Sequence, residues 1–161
     1  MSKALDLLTK GLNEGYAGKT IVETTERGGF TFKKSHFENS EGIYHDEWLP
    51  VRTGGGQELV SVGEEKYTRL YAGGVIASEE LEKLDITEKE VIGYLMKKVS
   101  ELGDKTRLFK NCIPSPDGKW HYQYKVTDVI ESINLTRSIE VIVYKDTQVF
   151  IHGFEICRIA E

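Results

Sequence analysis

The sequence predicts an α+β domain built of two diverged helix-plus-antiparallel-meander units packed as one fold. Three observations point there. Helical apolar spacing with end signals occurs near the start and again after Thr87. Elsewhere the pattern has period two, with aromatic and β-branched residues bounded by glycines. Finally, residues of the second half repeat those of the first in order.

Taken along the chain, Ser2 caps a helix whose stripe is Ala4, Leu5, Leu8 and Leu12, and Gly11, Gly15 and Gly18 end it. Lys19 to Glu23 adds a strand to the first half only. Strands follow at Phe30 to Lys34, Ile43 to Trp48, Glu58 to Val62 and Lys66 to Tyr71. Ser78 to Leu84 is a bridging turn of helix, because Glu79 and Glu80 suit a helix start. Thr87 and Glu90 then form a capping box for a longer helix, on which Val91, Ile92, Leu95, Met96, Val99 and Leu102 recur before Gly103. The second strand set is Thr106 to Asn111, Trp120 to Thr127, Ile139 to Tyr144 and Gln148 to Ile151. Gly63-Glu64-Glu65 and Lys145-Asp146-Thr147 are hairpin turns, and Pro114 to Gly118 is a loop.

Side by side, Gly42, Tyr44, His45 and Trp48 fall on Gly118, Trp120, His121 and Tyr124, Glu58 on Glu140, and Gly73 on Gly153. The whole of 1–161 is thus one domain, with repeat units over about 2–76 and 87–159. The run from Arg52 to Gln57, with Gly54-Gly55-Gly56, has no counterpart in the second unit, and function is expected in the first half.

Composition bounds the function classes. With 39% hydrophobic and 29% charged residues, the chain is made to bury a core. Twenty-one Lys and Arg against twenty-six Asp and Glu leave a net charge of −5, which repels a phosphate backbone, so nucleic acid is not an expected partner. No apolar run approaches the ~20 residues of a membrane span. The opening residues carry no secretory signal, and Cys112 and Cys157 make no CxxC pattern. Both are expected to be reduced core thiols in a cytoplasmic protein.

The densest polar cluster is Tyr44-His45-Asp46-Glu47-Trp48, followed by Arg52 and Gln57-Glu58. In a strand, Tyr44, Asp46 and Trp48 share one face, with His45 and Glu47 on the other. A carboxylate among aromatics in a dry groove has its pKa raised and can act as acid or base, although a solvated strand face with aromatic anchors is the simpler expectation. Arg52 and Arg69 are candidates to pair with Glu58 or a ligand carboxylate, since guanidinium suits two-toothed contacts. The triple glycine lacks a P-loop ending and precedes a strand, so it reads as a flexible connection rather than an anion nest. His36, His45, His121 and His152 form no metal-binding spacing; no cofactor or metal is expected, and neither cysteine has a nucleophile's context.

One resemblance covers most of the chain. Tyr16-Ala17-Gly18, Tyr44 and Asp46, Gly55-Gly56-Gln57-Glu58, Tyr67 and Leu70-Tyr71-Ala72-Gly73, then Tyr122, Glu140 and His152-Gly153, resemble an uncharacterised two-unit small α+β domain family found alone and fused to helix-turn-helix regulators. The chain departs from it at Ser138-Ile139-Glu140, where a glycine usually precedes the glutamate, and in having no helix-turn-helix segment before the domain. The resemblance implies a two-unit fold and a sensing or partner-binding role.

The expected function is a non-enzymatic module that holds a small molecule or protein between its halves, through Tyr44, Asp46, Trp48, Arg52, Gln57, Glu58, Arg69 and Tyr71. One alternative is a hydrolase or isomerase using Asp46, Glu47 or Glu58 as acid or base. The other is a structural protein that forms a homodimer through a sheet edge or face.

Overall fold

The computed structural model describes residues 2–15 and 21–160. The segment 16–20, which holds Tyr16-Ala17-Gly18 and the start of the expected Lys19 to Glu23 strand, lies outside the described residues, as does the Leu12 side chain. Eight antiparallel strands form one sheet: β1 Val22–Arg27, β2 Phe30–Asn39, β3 Gly42–Trp48, β4 Thr53–Val62, β5 Glu65–Val75, β6 Trp120–Ile130, β7 Leu135–Tyr144 and β8 Thr147–Arg158. Their order is β1-β2-β3-β4-β5-β8-β7-β6, so the chain builds one meander, leaves through helices, and adds a second meander against the first at β5 and β8.

Three helices carry the layer above the sheet: α1 Lys3–Gly15, α2 Ser78–Lys83 and α3 Glu88–Leu102. Each begins near its sequence signal. The Leu5 amide donates to Ser2 Oγ at 3.4 Å, and both arms of the Thr87–Glu90 capping box are made. Ala4, Leu5 and Leu8 of α1 meet Tyr44 and Val60 in one core, while Val91, Leu95 and Val99 of α3 meet Tyr122, Ile142 and Phe150 in another. Two apolar cores therefore sit side by side on one sheet face.

Several expectations change. Residues 106–111 form no strand. Arg107 takes a left-handed φ of 57°, the Tyr124 hydroxyl donates to the Leu108 carbonyl at 2.6 Å, and a side chain meets a backbone group where a ladder bond was expected. The triple glycine is not a flexible connection either: Gly54, Gly55 and Gly56 lie inside β4, paired with Gly73, Ala72 and Tyr71 of β5. Strands β2, β4, β5, β7 and β8 all run further than expected, with glycines and polar residues interspersed in their extra lengths. The β1–β2 hairpin turns on Gly28-Gly29, both at positive φ, and extends the first-half strand to Arg27. Cys112 and Cys157 are free as expected, but half-buried rather than deep in a core.

The strand register bears on the matched positions. Glu58 lies opposite Asp46, and Glu140 opposite Tyr124; Tyr44 lies opposite Val60, and Tyr122 opposite Ile142. Thus Tyr122 stands two positions from the residue opposite Glu140, as Tyr44 stands two positions from the residue opposite Glu58, while Trp120 lies opposite Tyr144. Gly73 and Gly153 are neighbours across the β5–β8 junction, opposite His152 and Ala72. No described helix is long and apolar enough to cross a membrane.

Candidate functional site

Between the two cores runs a buried polar seam. Glu58 of β4 accepts from the Tyr44 hydroxyl at 2.9 Å and from Arg69 of β5 at 2.5 and 2.7 Å, a two-toothed guanidinium contact. Glu140 of β7 does the same with different suppliers: Tyr122 at 2.6 Å, and Arg107 at 2.8 and 2.7 Å. Both carboxylates and Arg69 are about 1% exposed or less. Such charges survive burial because every carboxylate oxygen is matched by a donor. Burial pushes the Glu140 carboxyl up, but the Arg107 charge and hydrogen bonds outweigh it and hold the group below the usual carboxylate range.

The two clusters differ in one place. Arg69 stands opposite Glu58 on the neighbouring strand; opposite Glu140 the neighbouring strand β8 carries His152. Arg107, outside the sheet, supplies the second guanidinium instead, and His152 is left near Glu140 with Nδ1 3.8 Å from Oε2. That nitrogen is buried without a hydrogen-bond partner. Burial lowers the His152 pKa to about 4, so its imidazole is neutral at ordinary pH.

His152 lines a cavity of about 80 Å³, set where the meanders meet. Asp46, Arg52, Tyr71 and Arg107 give it a polar wall; Ile92, Leu95, Phe150 and Phe154 give it an apolar one. Asp46 is 2% exposed and accepts from the Tyr71 hydroxyl at 3.0 Å. Burial first, then the Glu58 charge, push its carboxyl up to about 8. Tyr71 reaches Asp46 by crossing β4 at Gly56. A Cβ there would collide with the Tyr71 ring and hydroxyl and with the Glu47 carbonyl.

Of the eight residues singled out in the sequence, Asp46, Trp48, Arg52, Glu58 and Tyr71 line the cavity. Tyr44 and Arg69 lie behind it as partners of Glu58. Gln57 is separated from the rest, being exposed on the other sheet face, where it donates to Thr68 Oγ1 at 3.0 Å. Glu47 also leaves the group, since Arg27 holds it at 2.8 and 2.7 Å. Sequence reasoning missed Arg107 and passed over His152 as a ligand-facing residue. Arg107 had been assigned to a strand, and His152 lacked any metal spacing.

His45 does not meet His121. Its Nδ1 lies 3.3 Å from His36 Nδ1 on the directly opposed strand position, whereas His121 Nε2 lies 3.1 Å from the Pro114 carbonyl oxygen. Among the described residues, no three His, Cys, Asp or Glu side chains converge as a metal site. No family model, curated protein or solved structure matches this chain.

Proposed function

We propose that the protein is a small-molecule-binding module whose ligand occupies the cavity between the two meanders. The observation that carries this reading is the combination of open space with unsatisfied chemistry: Asp46, buried, and His152, half-buried, both with displaced pKa values, line the same cavity. A purely structural junction would be filled by side chains. A sensing role, as in the resembled regulator-linked family, accords with a site buried at an inter-unit junction.

The two-unit origin belongs to the same proposal. Matching Tyr44 with Tyr122 and Glu58 with Glu140 places Tyr71 and Phe154, which pair directly across β5 and β8, on a pseudo-twofold axis. Exchange of an arginine for His152 at the position matching Arg69 is then the change that turns one copy of the polar cluster toward a ligand.

A second reading has its own support. Asp46 with a raised pKa and neutral His152 lie in one cleft, an acid and a base of the kind isomerases and hydrolases use. Of the three carboxylates considered, Glu47 faces away and Glu58 has its oxygens occupied, so Asp46 is the residue such chemistry would use.

A thermal-shift screen of the whole chain against cell metabolites tests the binding reading, since a ligand at a hundred times its Kd stabilises by about 2.7 kcal/mol. A ligand whose effect survives in both Asp46→Asn and Leu95→Phe would have to sit elsewhere, against the proposal. Turnover of a stabilising ligand that stops in Asp46→Asn would favour the catalytic reading.

A further inference from the structure

The atoms that face the cavity specify a ligand chemistry more narrowly than its shape does. Arg107 uses Nε and one terminal nitrogen on Glu140; its Nη1 has no acceptor among the described residues. Asp46 uses Oδ1 on Tyr71, and its Oδ2 has no partner among the described residues. Among the described residues the buried polar side-chain atoms lacking a partner are Ser35 Oγ, Tyr94 OH and His152 Nδ1. Arg107 Nη1 and Asp46 Oδ2 are not among them, although both residues are buried, so each atom reaches open space, and the cavity is the space they line.

Charge then decides the sign. Glu58 is neutralised by Arg69, and Arg107 by Glu140. Arg52, whose Nη1 donates to the Val75 carbonyl at 2.7 Å, has no carboxylate partner among the described residues. Its remaining nitrogens and Arg107 Nη1 are donors without acceptors, which is the complement of an oxyanion. Against them stands the apolar wall of Ile92, Leu95, Phe150 and Phe154, which suits a short hydrocarbon part. At about 80 Å³ the cavity suits only a small ligand.

We propose that the cavity takes a small organic monocarboxylate, its oxyanion held by Arg107 Nη1 and Arg52 and its carbon chain laid against Leu95 and Phe150. Asp46 Oδ2, when its carboxyl carries a proton, donates a further bond to the ligand or to a water beside it, and His152 meets the ligand's polar substituent. The assignment rests on the cavity being a ligand site.

The test uses the full chain and three probe series of matched size at constant ionic strength: acetate and pyruvate, acetamide, and methylammonium. Binding is followed by calorimetry and by the side-chain NMR signals of His152 and Tyr71. The expected result is that acetate or pyruvate shifts both signals and the other probes do not. Arg52→Gln should then weaken the carboxylate about tenfold or more, as loss of a charged hydrogen bond does, and Arg52→Lys should recover part of it. Because Arg52 is exposed, the melting temperature of the free variants checks that the fold is intact. Equal binding of acetamide or methylammonium overturns the carboxylate assignment and leaves the cavity reading standing. If no probe moves either signal, the ligand-site reading fails and this inference fails with it.

Discussion

Arg69 Nη1 donates to the backbone carbonyl of Arg107 at 2.9 Å, and this one bond joins the two buried clusters. Arg69 belongs to the first meander and holds Glu58; Arg107 follows the long helix and holds Glu140 of the second. Both guanidinium groups also lie over the Phe154 ring, at 6.0 and 5.3 Å from its centre. The seam between the cores is therefore a connected polar network, and the cavity opens beside it.

Removing one member of that network should be costly. Arg107→Ala leaves Glu140 buried without its counter-charge and is expected to lower stability by about 3–5 kcal/mol in urea unfolding. Replacing both partners, as Arg107→Met with Glu140→Leu, should cost less than the single change. A double variant as unstable as the sum of its parts would show that the pair does not act as a unit.

Gly56 should tolerate no side chain. In Gly56→Ala the added methyl displaces Tyr71 from Asp46 or strains β4 against β3, with an expected loss of about 1–3 kcal/mol. Truncating Tyr71 in the same chain, as Tyr71→Ala, removes one of the two clashes. The glycine penalty should then shrink; a penalty unchanged in that background would place the strain at the Glu47 carbonyl instead.

Stability should fall as pH rises from about 6.5 to 8. Asp46 has an ordinary value of 3.8 and a folded value of about 8, so between these the folded chain holds the extra proton and loses stability as pH climbs. His152 acts in the opposite direction: with a folded value of about 4 against 6.5, its contribution disappears as pH drops through that range. The two effects oppose each other between pH 4 and 6.5, and Asp46 acts alone above it. Urea midpoints measured across this range should show the upper decline, and Asp46→Asn should flatten it. An unflattened decline would assign the titration to another group.

The capping box of α3 gives a simpler test. Thr87→Ala removes acceptance of the Glu90 amide and should cost about 0.5–2 kcal/mol, while Thr87→Ser should restore most of it. Circular dichroism during thermal unfolding reports both.

Local chemistry is what could be read in advance. Helix ends declared by Ser2 and Thr87–Glu90, turns at Gly63 and Lys145-Asp146, and period-two strands such as Ile43 to Trp48 all depend on neighbours within a few residues, so an unaided chain displays them. The grouping of Tyr44, Asp46, Glu58 and Arg69 was legible too, because Asp46, Glu58 and Arg69 lie directly opposite one another across consecutive hairpins. Gln57 was misplaced for the same kind of reason: a sequence neighbour of Glu58 in a strand necessarily faces away from it.

Arg107 and His152 could not be found that way. Arg107 reaches Glu140, 33 positions further along the chain, through a left-handed residue that no pattern announces, and its backbone carbonyl is needed by Arg69 of the other meander. His152 matters because the sheet closes β8 against β5, which buries its Nδ1 without a partner and sets the ring in the cavity lining. Residue types and local spacing specify helices, strands and turns. Whether a buried charge finds its partner, and whether room remains beside it, depends on contacts made only when distant segments pack together.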